Sequence, residues 1–194
     1  MRVIEVGRHG GPEVLSVAER AAPEPGPGQV VVRIAAAGVN FMDIYQREGI
    51  GGYRAPLPYV PGAEGAGTVT AVGEGVTGLA VGDQVAWAGL PGGYAEQAVL
   101  PAVRVVPVPS GISAQVAAAV MLQGMTAHYL ATSTYPVREG DVAVVHAAAG
   151  GVGLLLTQMV KRRGGTVIAT TSGGEKDDLA RGAGADHVVG YDQF

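Results

Sequence analysis

The run Val144-Val145-His146-Ala147-Ala148-Ala149-Gly150-Gly151-Val152-Gly153 has the residue types that bring a phosphate to a backbone. A β-branched stretch passes into small residues, and Ala148, Gly150 and Gly153 fall at the spacing of the three small residues of a dinucleotide fingerprint, with alanine in first place. Gly150 would let the chain approach a pyrophosphate, and Gly153 would let the following helix lie close on the strand. The helix start then offers unpaired N–H groups and the positive end of its dipole. Ala149, Gly150, Gly151, Val152 and Gly153 are therefore candidate cofactor contacts. The competing reading is a βα turn that binds nothing, since a chain with 32 glycines matches the pattern easily by chance. Placement between a strand and a helix favours the nucleotide.

The residue that meets the adenosine ribose is expected about 20 positions further on, at the end of the next strand. That region is Thr170-Thr171-Ser172-Gly173-Gly174-Glu175-Lys176, with hydroxyls and glycines where an NAD site places a carboxylate. This favours a 2′-phosphate, neutralised by Lys176 and hydrogen-bonded by Ser172 and the Gly173 backbone. Glu175 opposes it by charge, and Lys176 can also be read as a solvated first-turn lysine.

The elements that hold these groups follow from pattern. Short strands punctuated by Gly and Pro are expected at Val3–Val6, Val14–Val17, Val30–Ala36, Gly67–Val72, Gln84–Ala88 and Ala95–Val99, which is how a small β domain reads. Pro23-Glu24-Pro25-Gly26-Pro27-Gly28 is expected as a surface loop. Alanine-rich, proline-free texture predicts two helices, Ser113–Met121 and Met125–Thr132. After them come a strand at Val142–His146, a helix at Gly151–Arg163, a strand at Thr166–Thr170, a helix at Lys176–Arg181 and a strand at His187–Val189. The order βαβαβ predicts a parallel sheet. A doubly wound nucleotide fold has about six strands in two halves, and only one half is visible before Phe194.

Composition narrows the class. The 194 residues are 47% hydrophobic with a net charge of −4, which suits a globular chain and supplies no basic footprint for nucleic acid. The absence of cysteine removes disulfides and thiolate metal ligands from this chain. Val142 to Val160 runs 19 residues without formal charge, but its glycines, His146 and a strand-to-helix change of texture read as a buried βα unit rather than a membrane span. The charged start, Arg2 to Arg8, has no signal-peptide core, so the cytoplasm is the expected compartment.

Five motifs in order carry a family resemblance: residues 37–45 (Ala-Gly-Val-Asn-Phe-Met-Asp-Ile-Tyr), 61–67 (Pro-Gly-Ala-Glu-Gly-Ala-Gly), 81–85 (Val-Gly-Asp-Gln-Val), 123–129 (Gln-Gly-Met-Thr-Ala-His-Tyr) and 146–153. The sequence resembles the zinc-independent, zeta-crystallin-like quinone oxidoreductases of the medium-chain dehydrogenase/reductase superfamily. The resemblance implies an α/β plus β architecture: a GroES-like catalytic domain over residues 1–122, then the first half of a Rossmann NADP-binding domain over 123–194, with the active site in the cleft between them. It implies NADPH as cofactor, a quinone or other conjugated carbonyl as small-molecule substrate, and a homo-oligomer such as a homodimer. Asn40 and Ala63 stand where the zinc-dependent branch has cysteine and histidine, so no metal is expected. By the same resemblance Asn40, Asp43, Tyr45 and Tyr53 are the catalytic and substrate-pocket candidates, with Asn40, Thr126 and Tyr129 near the nicotinamide and Lys176 and Tyr191 at the adenosine phosphate. Alternatives stay open: Asn40 as a loop cap, Asp43 as a helix-start residue, Tyr129 as packing. Reduction of an enone or enoyl-thioester double bond is the nearest rival activity, and a non-catalytic nucleotide-binding module the more distant one.

Overall fold

The apolar alternation of the front of the chain resolves into two sheets in the computed structural model, which describes residues 1–193. Strands β1 (Arg2–Val6) and β2 (Leu15–Glu19) pair antiparallel, with Val6 opposite Leu15. Five further strands form one antiparallel sheet: β3 (Gln29–Ala37), β4 (Glu64–Val72), β5 (Gln84–Ala88), β6 (Gln97–Pro101) and β7 (Val105–Pro107). Their order across the sheet is β6-β3-β4-β5-β7. Val30, Val32, Val69, Val85, Trp87 and Leu100 form its core, and Trp87 is the largest side chain fully removed from water.

Between β3 and β4 the chain forms a short helix, α1 (Phe41–Glu48), outside the elements expected from pattern. Eight residues are too few for a helix to stand on its own propensity, and Phe41 at its first position is 75% exposed. The two helices expected at Ser113–Met121 and Met125–Thr132 are one, α2 (Ala114–Tyr129), followed by a widened turn over Leu130–Thr134. Gly124 costs a helix only about 1 kcal/mol relative to alanine, which the alanine-rich flanks tolerate. Ala117 and Ala118 of α2 lie against Ala66 and Ala86 of the sheet, small residues that let helix and strands approach closely.

The chain divides into two compact units, Met1–Leu122 and the part from Gln123 onward. In the second, β8 (Val142–Val145), α3 (Gly151–Arg162), β9 (Thr166–Thr171), α4 (Glu175–Gly182) and β10 (His187–Gly190) alternate as expected. The three strands are parallel in the order β10-β9-β8. Val145, Val160, Val167, Ala169 and Ala180 are buried in its core. Lys161 ties the end of α3 to this sheet, bonding both carboxylate oxygens of Asp186 at 2.8 Å, while Asp186 Oδ2 accepts from Val167 N at 2.7 Å. These donors hold the Asp186 carboxyl below its ordinary range, Lys161 contributing most. Among the described residues no helix is long and apolar enough to cross a membrane.

Replacing Trp87 with alanine should cost about 3–5 kcal/mol, because it leaves a cavity at the centre of the five-stranded sheet. Val103→Ala, at a position 92% exposed, should stay within about 0.5 kcal/mol. Urea denaturation of both variants checks the pair.

Candidate functional site

Asn40 enters α1 with extended backbone (φ −126°, ψ 152°) and serves as its N-cap, and its N–H donates to Asp43 Oδ2 at 2.9 Å. This reciprocal cap is the local reason the chain turns into a helix here. The same Asp43 oxygen accepts the Tyr94 hydroxyl at 2.8 Å. On the other side, Asn40 Nδ2 donates to Glu64 Oε1 at 2.8 Å, and Glu64 Oε2 accepts from Leu122 N of α2 at 2.6 Å. Glu64 is fully buried and Asp43 nearly so. A chain of polar contacts, Tyr94–Asp43–Asn40–Glu64–Leu122, thus links the loop before β6, α1, the first residue of β4 and α2. Buried carboxylates survive only with such partners.

Gly38 has to lack a side chain, because a Cβ there would overlap the Glu64 carboxylate. Burial raises the Tyr94 phenol far above its ordinary value, and the hydrogen bond to Asp43 and the charges of Asp43 and Glu64 add to it. Tyr59 is also raised, by burial first and Asp43 second, with Arg47 opposing. Tyr45 and Tyr53 make a tilted aromatic pair, ring centroids 5.6 Å apart, and are 39% and 50% exposed. The structure therefore joins Asn40 to Asp43 and Tyr45 to Tyr53, with the phenols of the second pair partly open to a ligand.

In the second unit the turn after β8 is tight. Ala147 adopts φ +49°, Ala148 N donates to Thr170 O at 3.0 Å, and His146 Nδ1 lies 3.1 Å from Thr170 Oγ1. Gly150 N is spent inside the turn on Ala147 O, and Gly150 caps α3. A Cβ on Gly153 would stand 2.6 Å from Ala148 Cα, so the helix rests directly on the turn. The N–H groups of Gly151, Val152 and Gly153 belong to the first turn, where helix geometry supplies no carbonyl partner, while Ala149 precedes the cap. Thr126 and Tyr129 lie in the last turns of α2, Tyr129 being 49% exposed.

Beyond β9 a groove of about 500 Å³ is lined by Ser172, Gly173, Tyr191 and Asp177, among others. Lys176, the second residue of α4, is exposed and does not line it. The sequence offers hydroxyls and glycines at the strand end, yet a carboxylate reaches the groove from the helix instead. Asp177 accepts the Thr171 hydroxyl, and Thr171 Oγ1 in turn accepts Gly173 N at 3.1 Å. Asp177, Glu64 and Tyr94 are the residues whose part sequence reading overlooks. Only Glu64 carried a signal, its place in the 61–67 motif. Another groove, of about 390 Å³ beside β1 and β3, is lined by Tyr94 but by none of the site residues expected from the sequence.

Residues 26–110 match the alcohol dehydrogenase GroES-like domain. A quinone oxidoreductase of Pseudomonas aeruginosa is 48% identical over 190 residues, covering 97% of this chain and 58% of the relative. A 2-haloacrylate reductase of Burkholderia sp is 40% identical over 194 residues, covering 96% of this chain and 57% of the relative. The solved structure of Escherichia coli quinone oxidoreductase complexed with NADPH superposes with a TM-score of 0.95 at 37% identity, covering 100% of this chain and 60% of that one. The chain spans less than two thirds of the length of these relatives.

Tyr94→Phe should cost about 2 kcal/mol at neutral pH, the worth of a hydrogen bond to a charged group. Because the folded phenol titrates above its unfolded value, this stability is fully present below about pH 10, the ordinary tyrosine value, and declines as pH rises further. Thermal melts of both proteins from pH 7 upward should therefore show a constant gap that narrows above pH 10.

Proposed function

Since the chain belongs to the medium-chain dehydrogenase/reductase superfamily, we propose that it carries the catalytic domain and the first nucleotide-binding half of a zinc-independent, NADPH-dependent reductase whose substrate is a quinone. The observation that carries this reading is the β8–α3 turn, where Gly153 seats the helix on the strand and leaves first-turn N–H groups for a pyrophosphate. Ser172, Gly173 and Tyr191 at the groove, with Lys176 beside it, would hold the adenosine end. NADPH, when bound, supplies the hydride; the protein contributes position and electrostatics.

The chain's own groups have separable tasks. Gly151, Val152 and Gly153 N–H groups orient the pyrophosphate. Tyr45, partly exposed, donates its phenol proton in a hydrogen bond to the acceptor oxygen as charge develops there, and Tyr53 steadies its ring. The Asn40 carboxamide, oriented by Glu64, is the second candidate donor to that oxygen. Asp43 holds Asn40 and Tyr94 in place through its Oδ2 atom. The donor set suits zinc poorly: both Glu64 oxygens and Asp43 Oδ2 are committed to Asn40, Tyr94 and Leu122, which leaves Asp43 Oδ1 as the one open carboxylate oxygen of the pair, and the chain has no thiolate to join it.

A second reading, reduction of a conjugated carbon–carbon double bond, is favoured by the relative named 2-haloacrylate reductase. Turnover of quinones against enones and acrylates under NADPH separates the two.

Lys176→Ala should weaken NADPH binding about 10-fold, the loss of one charge-assisted contact, while NADH binding changes little. Tyr45→Phe should lower quinone kcat by about 10-fold or more with little change in KM. Nucleotide fluorescence titration and steady-state kinetics read these out, and unchanged turnover in Tyr45→Phe would remove Tyr45 from its role.

A further inference from the structure

Asp177 stands in the groove where the reading above places the adenosine ribose, and that reading gives it no task. Its place is set twice over. It sits in the first turn of α4, with its N–H donating to Gly174 O at 2.9 Å, and its Oδ1 accepts the Thr171 hydroxyl. Thr171 also takes Gly173 N and, through its carbonyl, Tyr191 N at 3.2 Å, so the carboxylate is tied to both walls of the groove. Its second oxygen, Oδ2, makes no hydrogen bond among the described residues and remains for a ligand.

An ionised carboxylate only accepts hydrogen bonds. A ribose with free 2′- and 3′-hydroxyls can donate to it; a 2′-phosphate is repelled by it. The charge around the groove strengthens the contrast. Lys176 is the cation of the first α4 turn, against Glu175, Asp177 and Asp178 on the same turn and Asp192 on the groove wall. A structural task for Asp177, bracing Thr171 and favouring the helix start, accounts for its Oδ1 contact but not for its exposure to the groove.

We propose that Asp177 is a specificity-determining residue which lowers the preference for the phosphorylated nucleotide, so that the site takes NADH as well as NADPH. This rests on the nucleotide site assigned under Proposed function. Lys176 attracts the 2′-phosphate and Asp177 opposes it, so the ratio of the two affinities is narrower than Lys176 by itself would set.

The test is fluorescence titration of NADPH and NADH against the native protein and its Asp177→Asn variant, which removes the charge and keeps an acceptor for Thr171. Asp177→Asn should bind NADPH about 5-fold more tightly at low salt and NADH no more tightly. The NADPH gain should shrink at 1 M salt, where charges are screened within about 3 Å. Asp178→Asn, which removes an equal charge from the same helix turn outside the groove wall, should give less than half that gain. Equal changes for both nucleotides, no change, or an equal gain in Asp178→Asn would each overturn the proposal. Should Asp177→Asn fail to fold, Asp177→Ala is read by the same criteria. Native protein that binds neither nucleotide would sink the nucleotide site itself, an outcome distinct from a bound pair whose ratio ignores Asp177.

Discussion

The buried carboxylate of Glu64 is the constraint on which the first unit depends. It is fully removed from water, accepting Asn40 Nδ2 through one oxygen and Leu122 N through the other. Leaving a buried oxygen of this carboxyl group without its donor costs about 1–3 kcal/mol, so its neighbours are held more firmly than packing alone would hold them. Gly38 must be bare to admit it, Asn40 must present its amide to it, and α2 must pass near enough to offer a backbone N–H. The alanines of α2 and the sheet permit that approach. Through Asn40 the constraint extends to Asp43 and Tyr94, and therefore to the start of α1.

α1 in turn delivers Tyr45 to Tyr53, which lies in the short turn Gly51–Tyr53 beyond it, so that one partly exposed phenol of the pair stands on a helix whose N-terminus is fixed. Polar groups that touch one another internally thus position polar groups that face outward. This division explains why Asn40 and Asp43 read equally well as helix-cap residues and as site residues: the cap is the device that sets the donor in place.

The second unit solves a different problem by closeness. A helix N-terminus attracts an anion only if the turn before it leaves room for the ligand's approach, and the contact of Gly153 with Ala148 brings α3 down onto the strand end. The same unit sets opposite charges side by side in the first turn of α4, Lys176 exposed and Asp177 on the groove. Affinity at the proposed nucleotide site would be a difference between opposing charges, which single-residue motifs do not express.

The strand–turn–helix of the second unit, the parallel order of its strands and the β character of the front were legible in the chain, because periodicity, glycine spacing and turn chemistry act over a few neighbouring residues. The motif resemblance likewise pointed to the superfamily from local strings alone. Contacts between distant positions were not legible: Tyr94 meets Asp43 across 51 residues and Leu122 meets Glu64 across 58. Gly124 does not break α2, because its cost is small against the alanine-rich flanks on either side. Asp177 leaves no mark at the strand end itself, because a helix turn carries its carboxylate back to Thr171. Local spacing in the sequence determined which elements form; only the tertiary structure decided which donors the buried carboxyl groups meet, because hydrogen bonds form between groups close in space, whatever their separation along the chain.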